Sequence, residues 1–490
     1  MARIEFVDQT LRDGQQSLWG MRMRAGMVTP VAPYFDRGGF KAVEVGGGGG
    51  FLEVLLRNVR DDPWPVIGHL RASMPNAHLR ASRRANAMGK MGLTPPAMLE
   101  VFNRTLVGHG IQSFWIFDCL YDMTTMERVS REIVACGGEV YPGIQFGISP
   151  VHTDDFFADR CREIASWGVA SGIYFEDAPG ILTPERADTL IPAMMAAAGE
   201  TKLEMHGHNT VGLANLNYLK AVEHGITTVH TCSRPLANGP SLPSTEMMVH
   251  NLRVHGHEPA IDESVLDPIA EHFYRVADQE GWAVGEPVEY DAALYLHQLP
   301  GGMMGTLRAQ LAQHGMEDQL GAVLDEVPQI RAELGHPISA TPFAQLIGVQ
   351  AVLNVTTGER YSVVPDEMVM FVLGHYGEPP GKLSPELVDR VRNSERGREL
   401  AGWELETPTL DELRLRHGSA SLSDEELIVR YLAAPEDIQA TRALGPLRTT
   451  YTFTSRATAP GLVDQVMALT RTRAVDVQLP DLSVSLRRTG

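Results

Sequence analysis

The sequence predicts an α/β chain, with a (β/α)8 barrel followed by a mostly helical domain and a small α/β appendage. Short apolar runs alternate with longer amphipathic stretches as far as about residue 235, and their period of about 30 residues is typical of strand–helix units. Beyond about residue 290 this alternation gives way to amphipathic helical sequence. Polar side chains also gather at or just after the ends of the apolar runs, a pattern that helix packing does not require.

Helical sequence separates the predicted strands, as at 95–109 and 184–198. Eight strand–helix units close a TIM barrel, whose site is built at the carboxyl ends of its strands. We therefore expect the barrel over 1–290, the helical domain over 291–445 and a strand–helix–strand tail over 446–490. The eight runs predicted as strands are Ile4–Phe6, Ala42–Val45, His78–Ser82, Ser113–Phe117, Val140–Phe146, Gly172–Phe175, Lys202–Met205 and Thr227–Thr231.

Composition narrows the class of function. The net charge of −19 disfavours binding to nucleic acid or to an anionic membrane surface, so a small-molecule substrate is expected. No apolar run reaches the length of about 18 residues that a membrane span needs, and the first residues lead directly into strand-like sequence, so we expect a cytoplasmic protein. The cysteines lack CxxC spacing, which argues against a disulfide framework and a structural zinc site: Cys119, Cys136, Cys161 and Cys232.

A divalent metal site is predicted where two strands end. Residues i and i+2 of a strand point to the same side, so His206 and His208 can present two imidazoles to one ion, and Asp8 would add an oxygen. Glu176 is a candidate for completing the shell, and the ligand types suit zinc or manganese. The spacing alone is also compatible with ordinary polar strand residues.

Longer motifs resemble one family over about residues 1 to 440. The chain is similar to the carboxyltransferase domain of pyruvate carboxylase, the oxaloacetate decarboxylase alpha subunit and the large carboxyltransferase subunit of transcarboxylase, as a divergent member. The resemblance implies a homodimer whose metal-centred barrel stabilises the enolate of a 2-oxo acid, usually pyruvate, while CO2 moves between that enolate and biotin. The matching segments are 8–17, 62–64, 148–153, 177–184 and 206–208 in the barrel, and 296–307, 340–345, 350–355 and 376–381 in the helical domain.

The resemblance also implies substrate-binding residues. Arg12 is a catalytic candidate, with Asp8, because a guanidinium beside the substrate carbonyl would donate hydrogen bonds to the developing enolate. Arg83, in Arg83-Arg84-Ala-Asn86, matches the family's Arg-Gly-x-Asn element and would clamp a substrate carboxylate. Gln16 matches a substrate-contacting glutamine. The alternatives are a salt bridge between Arg12 and Asp13 and a surface charge at Arg83.

Departures from the family fall on its chemical positions. Glu176 replaces a lysine that becomes a metal ligand in the family after it is carboxylated. A glutamate side chain is shorter than a carboxylated lysine by about three bonds, so Glu176 would reach the metal only if the ion shifts or a water bridges the gap. Pro240 replaces the threonine that shuttles a proton between biotin and the enolate, and Ser241 lies one position further on. Lys90, a substrate-binding candidate, replaces a tyrosine.

Two more departures concern biotin. The family's Trp-Gly-Gly-Ala-Thr-Phe-Asp segment has become Gly46–Gly50 followed by Phe51-Leu52, which removes an indole and a carboxylate. The segment 463–490 has no Ala-Met-Lys-Met element of a biotin carrier, and Met88-Gly-Lys-Met91 lies in the barrel and carries an extra glycine. Biotin is therefore doubtful as a cofactor, although a separate biotin carrier protein remains a possible partner.

Three classes of function remain open. The favoured class is a biotin-independent, metal-dependent decarboxylase or C–C lyase that forms the enolate of a 2-oxo acid related to pyruvate or oxaloacetate. The second is a biotin-dependent carboxyltransferase subunit that works with a separate carrier. The third is a noncatalytic barrel that binds a ligand. A bound metal would argue against the third class, and dependence on biotin would distinguish the first two.

Overall fold

Eight parallel strands close into a barrel in the computed structural model, which describes residues 1–89, 91–313, 315–453, 474–479 and 482–487. The first strand pairs with both the second and the eighth, which closes the sheet, and a short ninth strand pairs with the start of the first. The predicted TIM barrel is confirmed. Its strands, with the ninth, are β1 (Arg3–Asp8), β2 (Ala42–Glu44), β3 (Leu79–Arg84), β4 (Ser113–Phe117), β5 (Glu139–Gln145), β6 (Ile173–Asp177), β7 (Leu203–Gly207), β8 (Thr228–Thr231) and β9 (Glu258–Pro259).

Amphipathic helices surround the barrel. The helix Met123–Ala135 buries apolar side chains that recur every three or four residues: Met126, Val129 and Ile133. The Asp122 side chain caps its first turn by accepting a hydrogen bond from the Thr125 N–H. The helices up to residue 280 are α1 (Gln15–Trp19), α2 (Ala25–Val28), α3 (Ala32–Arg37), α4 (Gly49–Val54), α5 (Pro63–Ser73), α6 (Pro96–Gly108), α7 (Met123–Ala135), α8 (Asp154–Ser166), α9 (Pro184–Ala198), α10 (Ala214–Glu223), α11 (Thr245–Val254) and α12 (Leu266–Glu280).

The chain continues as a helical domain. The amphipathic helical sequence beyond about residue 290 includes observed helices at 301–313, 320–333 and 343–357. None of the helices that the structure describes is long and apolar enough to span a membrane. The helices of this domain are α13 (Leu294–His297), α14 (Gly301–Gln313), α15 (Leu320–Glu333), α16 (Phe343–Thr357), α17 (Asp366–Val372), α18 (Pro385–Asn393), α19 (Glu395–Leu400), α20 (Leu410–Arg416), α21 (Asp424–Leu432) and α22 (Pro435–Ala443).

Contacts place the helical domain on the barrel mouth. A Cβ atom at Gly301, where α14 begins, would lie 2.6 Å from the Pro240 Cβ in the loop after β8. The Gln298 side chain donates to the Ile148 carbonyl at 2.9 Å and accepts from the Ile148 N–H at 3.0 Å, and the Arg331 Nη1 donates to the same carbonyl at 3.0 Å. The helical domain therefore covers the loops at the carboxyl ends of the strands.

The tail contains an antiparallel pair of strands, β10 (Ala474–Leu479) and β11 (Leu482–Arg487). The helix predicted between the strands of the tail falls outside the described residues.

Candidate metal and substrate site at the barrel mouth

Three potential metal ligands converge at the carboxyl ends of β1 and β7. Asp13 lies in a π-helical turn, Thr10–Gly14, directly after β1. His206 lies at the end of β7, and His208 is the first residue after this strand. Their donor atoms all lie within 4.8 Å of one another. The His208 Nε2 is 3.4 Å from the Asp13 Oδ1, and the His206 Nε2 is 3.6 Å from the Asp13 Oδ2. We call these three residues the ligand triad.

The ligand triad fits a divalent ion. Donor atoms placed about 2.1 Å from a tetrahedral ion lie about 3.4 Å apart, close to the distances found here. The His208 Nδ1 lies 2.7 Å from the Pro240 carbonyl oxygen, which can only accept, so Nδ1 carries the proton and Nε2 keeps its lone pair. The His206 Nδ1 is 2.6 Å from the Tyr174 hydroxyl, and the His206 Nε2 is buried with no hydrogen-bond partner among the described residues.

Charge also favours a cation at the ligand triad. Burial would raise the pKa of Asp13, but Arg12 and His208 hold it well below the usual value, so the group is a carboxylate. Burial would lower the pKa of His208, but Asp13 raises it overall. A proton bound by His208 would compete with an ion for the same Nε2.

The carboxylate beside the two histidines is Asp13, and not Asp8 as the sequence predicted. Both oxygens of Asp8 face Thr10: Oδ1 accepts from the Thr10 N–H at 3.0 Å, and Oδ2 from the Thr10 hydroxyl at 2.8 Å. Burial raises the pKa of Asp8 to about 7. Asp8 therefore organises the turn that presents Asp13, and the predicted third ligand is corrected to Asp13.

Arg12 lies beside the ligand triad. Its Nη1 is 2.6 Å from the Asp13 Oδ2, and its Nε is 2.8 Å from the Glu44 Oε1. The guanidinium also lies 5.2 Å from the centre of the Trp115 ring. The salt bridge with Asp13, which was the alternative interpretation of Arg12, is therefore present, and it fixes the guanidinium next to the candidate metal ligands.

A layer of interior side chains that the motifs did not indicate supports the ligand triad. The Tyr174 hydroxyl lies 2.6 Å from the His206 Nδ1 and 3.3 Å from the Arg12 Nη2. The Trp115 ring stacks on Tyr174 with centroids 4.3 Å apart. The alternation of side chains along a strand could have predicted the place of Tyr174. Tyr174 precedes Glu176 by two residues on β6, so both side chains point to the interior of the barrel.

The other predicted substrate residues do not gather at this site. Arg83 pairs in register with Ile116 and extends outward over the ring of Phe102, 5.7 Å from its centroid. Arg83 is therefore not at the barrel mouth, and it is not a surface charge either, because its side chain is buried. Both of its Nη atoms lack a hydrogen-bond partner among the described residues, and burial lowers the pKa of Arg83 to about 10. Gln16 is exposed on α1. Lys90 lies outside the described residues.

Comparisons with known proteins bear on this arrangement. Residues 294–459 match the model of the conserved carboxylase domain, and residues 121–272 match the HMGL-like model. The chain is 35% identical to a pyruvate carboxylase subunit of Methanocaldococcus jannaschii over 390 residues, which is 79% of the chain and 68% of that protein. The chain belongs to this carboxyltransferase family.

Other members of the family extend the comparison. The 2-oxoglutarate carboxylase large subunit of Hydrogenobacter thermophilus is 34% identical over 79% of the chain, which spans 60% of that relative. The carboxyl transferase domain of Rhizobium etli pyruvate carboxylase, solved with pyruvate, has a TM-score of 0.81 at 25% identity over 91% of the chain and 78% of the solved chain.

Glu176, where the carboxyltransferase family carries the carboxylated lysine, is close to the ligand triad but outside it. Glu176 is paired in register with His206, yet its carboxylate is not among the donors that lie within 4.8 Å of one another. Burial raises the pKa of Glu176 to about 7, although Arg12 and His208 lower it. The shorter side chain thus stops near the ligand triad, and completion of a metal shell by Glu176 remains a prediction.

The loop after β8 presents no hydroxyl where the family has its threonine. Pro240 occupies that position, and its carbonyl accepts from His208. The Ser241 hydroxyl, the possible substitute, is fully buried and donates to the Leu236 carbonyl at 2.7 Å. The one-residue offset therefore turns the serine hydroxyl into the loop.

The glycine run after β2 is closely packed. Gly46 has a φ of +89°, and a Cβ there would meet the Phe51 ring at 2.7 Å. A Cβ at Gly49 would lie 1.8 Å from the Met88 carbonyl oxygen. The run is a tight passage from strand to helix, and the Phe51 ring occupies the space that a side chain at 46 would need.

Proposed function

We propose that this protein is a metal-dependent enzyme that forms the enolate of a 2-oxo acid at the barrel mouth and acts as a decarboxylase or C–C lyase without biotin. The observation that carries the proposal is the ligand triad, with the guanidinium of Arg12 fixed beside it by Asp13. The finer choice of a biotin-independent reaction rests on the loop that carries Pro240. Zinc or manganese suits the donor set.

The chemistry follows from the residues of the site. A divalent ion held by the ligand triad would supply a Lewis acid for the substrate carbonyl. Arg12, held by Asp13 and Glu44, is positioned to donate hydrogen bonds to an oxygen that gains negative charge. With oxaloacetate, the C3–C4 bond breaks, CO2 leaves, and the bonding electron pair remains as the enolate of pyruvate. A proton from water then gives pyruvate, so no carrier is needed.

Transfer to biotin would require a further proton step. That step calls for a hydroxyl in reach of both biotin and the enolate, and the loop offers Pro240 and the inward-turned Ser241 instead. The indole that the family carries in the loop after β2 is absent, because Gly46 stands at its position. Both features support a reaction that ends at the enolate.

The second candidate is a biotin-dependent carboxyltransferase subunit with a separate biotin carrier. The relatives favour it: one is the pyruvate carboxylase subunit of Methanocaldococcus jannaschii, and another, 28% identical over 79% of the chain, is the methylmalonyl-CoA carboxyltransferase 5S subunit of Propionibacterium freudenreichii. The solved Rhizobium etli domain with oxamate and biotin has a TM-score of 0.81 at 25% identity. We also propose a homodimer, as the family resemblance implies, which light scattering of the purified protein checks.

The test measures oxaloacetate decarboxylation after loading with Zn²⁺ or Mn²⁺, with and without avidin and with and without free biotin. We expect turnover that avidin does not affect. Asp13→Asn should lower it by at least about 100-fold. A matched histidine control is His224→Ala, because His224 contacts Asp188 at 2.8 Å on the outer helices and should leave turnover within about twofold.

The same assay decides between the candidates. Turnover that avidin stops, or that free biotin stimulates in wild type as strongly as in Pro240→Thr, would make the protein a biotin-dependent carboxyltransferase. Purified protein that retains no metal and turns over no 2-oxo acid would support a noncatalytic barrel.

A further inference from the structure

A buried group of charged side chains lies in the barrel interior, next to the ligand triad on the side of the strands' amino ends. Glu204 precedes His206 by two residues on β7, so both side chains point inward. The Arg80 Nη1 donates to the Glu204 Oε2, and the Lys41 Nζ lies 2.9 Å from the Glu204 Oε1. Guanidinium and ammonium groups can only donate, so both oxygens of Glu204 accept, and Glu204 is a carboxylate.

His230, on β8, connects this carboxylate to the ligand triad. Its Nε2 lies 3.0 Å from the Glu204 Oε2. Its Nδ1 lies 3.2 Å from the Gln9 Nε2 and 3.4 Å from the His206 Nδ1. The rings of His206 and His230 meet edge to face, with centroids 5.4 Å apart. One imidazole thus contacts the carboxylate with one nitrogen and a candidate metal ligand with the other.

The hydrogen-bond partners of His230 fix its tautomer. The Glu204 carboxylate can only accept, so the His230 Nε2 carries the proton. The Gln9 Nε2 donates to the Glu44 Oε2 at 2.7 Å, which orients the amide, and it presents its second N–H to the His230 Nδ1. The His230 Nδ1 therefore keeps its lone pair.

This lone pair decides where His206 carries its proton. Two unprotonated nitrogens 3.4 Å apart would repel each other in an interior of low dielectric constant. A proton on the His206 Nδ1 removes that repulsion, and the Tyr174 oxygen, 2.6 Å away, can accept it as well. The neutral ring then has its free lone pair on Nε2, the atom that lies 3.6 Å from the Asp13 Oδ2.

We propose that Glu204 is a positioning residue for metal binding: through His230 it holds the proton of His206 on Nδ1, so that Nε2 is free to bind the ion. The inference rests on the proposed function and extends it to residues outside the ligand triad. Removing a partner that orients a metal-binding histidine typically weakens metal binding by about 10- to 100-fold.

The test uses two variants of this connection and one control. His230→Phe leaves Glu204 with its two cations but removes the lone pair beside His206. Glu204→Gln changes the contact from the other end, because an amide that accepts from Arg80 presents its N–H groups to His230. Lys41→Met is the control, since Lys41 contacts the Glu204 oxygen that does not face His230.

Two measurements separate orientation from stability. Competition with a chromophoric chelator gives the Kd for Zn²⁺, and nitrogen-15 NMR of histidine-labelled, zinc-free protein shows which ring nitrogen carries the proton. We expect wild-type His206 to be protonated on Nδ1. His230→Phe and Glu204→Gln should move this proton to Nε2 and raise the Kd by about 10-fold, whereas Lys41→Met should keep the tautomer and change the Kd by less than about threefold.

Two results would overturn the assignment. One is a wild-type His206 that carries its proton on Nε2 in the zinc-free protein. The other is a folded His230→Phe variant whose His206 keeps the proton on Nδ1, and this variant decides alone if Glu204→Gln does not fold. Failure of the proposed function is a separate result, because wild-type protein would then bind no Zn²⁺ while the NMR spectra still report the tautomers.

Discussion

Replacing Asp13 or Asp8 by asparagine tests which carboxylate holds the metal. Both residues are buried aspartates near the end of β1, and each substitution keeps the shape of the side chain while removing its charge. Asp13 faces His206 and His208 at 3.6 and 3.4 Å. Asp8 faces Thr10, and an asparagine amide can still accept from the Thr10 N–H and donate to the Thr10 hydroxyl. Asp8→Asn is therefore a matched control.

The magnitudes follow from these contacts. Asp13→Asn removes the only anion of the three donors, so we expect the Kd for Zn²⁺ to rise by at least about 100-fold, which is about 2.8 kcal/mol. Asp8→Asn should change the Kd by less than about threefold, because Asp8 has a pKa of about 7 and is already partly protonated at neutral pH. Competition with a chromophoric chelator at pH 7 measures both values.

Two outcomes would refute this reasoning. If Asp8→Asn loses zinc as strongly as Asp13→Asn, the turn after β1 rearranges around the ion, and the geometry described here is not the metal-binding one. If neither variant loses zinc, the metal lies elsewhere. Thermal melting of the two apo-proteins controls for unfolding.

Two further predictions concern stability. Burial, together with the charges of nearby cations, lowers the pKa of His152 to about 3, so between pH 6.5 and about 3 only the unfolded chain takes up a proton. The contribution of His152 to the free energy of unfolding should therefore fall by about 1 kcal/mol from pH 6 to pH 5. Urea titrations at the two pH values should show that the change in the free energy of unfolding differs between wild type and His152→Asn by about this amount, with wild type losing more; equal changes would contradict the assignment. At the glycine run, Gly46→Ala should lower the free energy of unfolding by at least about 1 kcal/mol, because Gly46 has a positive φ and the added Cβ would meet the Phe51 ring. Gly50→Ala, in α4, should leave this free energy unchanged or raise it by up to about 1 kcal/mol, because no atom lies within 4 Å of the added Cβ. Equal effects of the two substitutions in urea titrations would show that the run is not tightly packed.

The barrel was predictable because its signal is repeated. Each strand is a short apolar run followed by amphipathic sequence, and eight copies of this pattern are typical of a (β/α)8 barrel. The strand Ser113–Phe117 was predicted to the residue, and the other strand ends lie within two positions of the predicted ones. The helical domain was equally predictable, because its helical periodicity extends over more residues than a strand contains.

The site was predictable only where alternation along one strand decides it. His206 and His208 follow from the i, i+2 rule on β7, and the structure keeps them together. The choice between Asp8 and Asp13 depends on a π-helical turn after β1, whose geometry has no clear signature in sequence. The direction in which Arg83 points depends on the alternation of side chains along β3, and an error of one residue reverses the face.

The hydrogen bond between His208 and Pro240 separates two properties of this scaffold. The acceptor is a main-chain carbonyl, which every amino acid carries, so the orientation of the imidazole does not depend on which side chain stands at position 240. A hydroxyl can be lost from this loop, or regained, without disturbing the orientation of His208. Under the proposed function, mutations at position 240 would change the reaction that follows enolate formation while the ligand triad keeps its geometry.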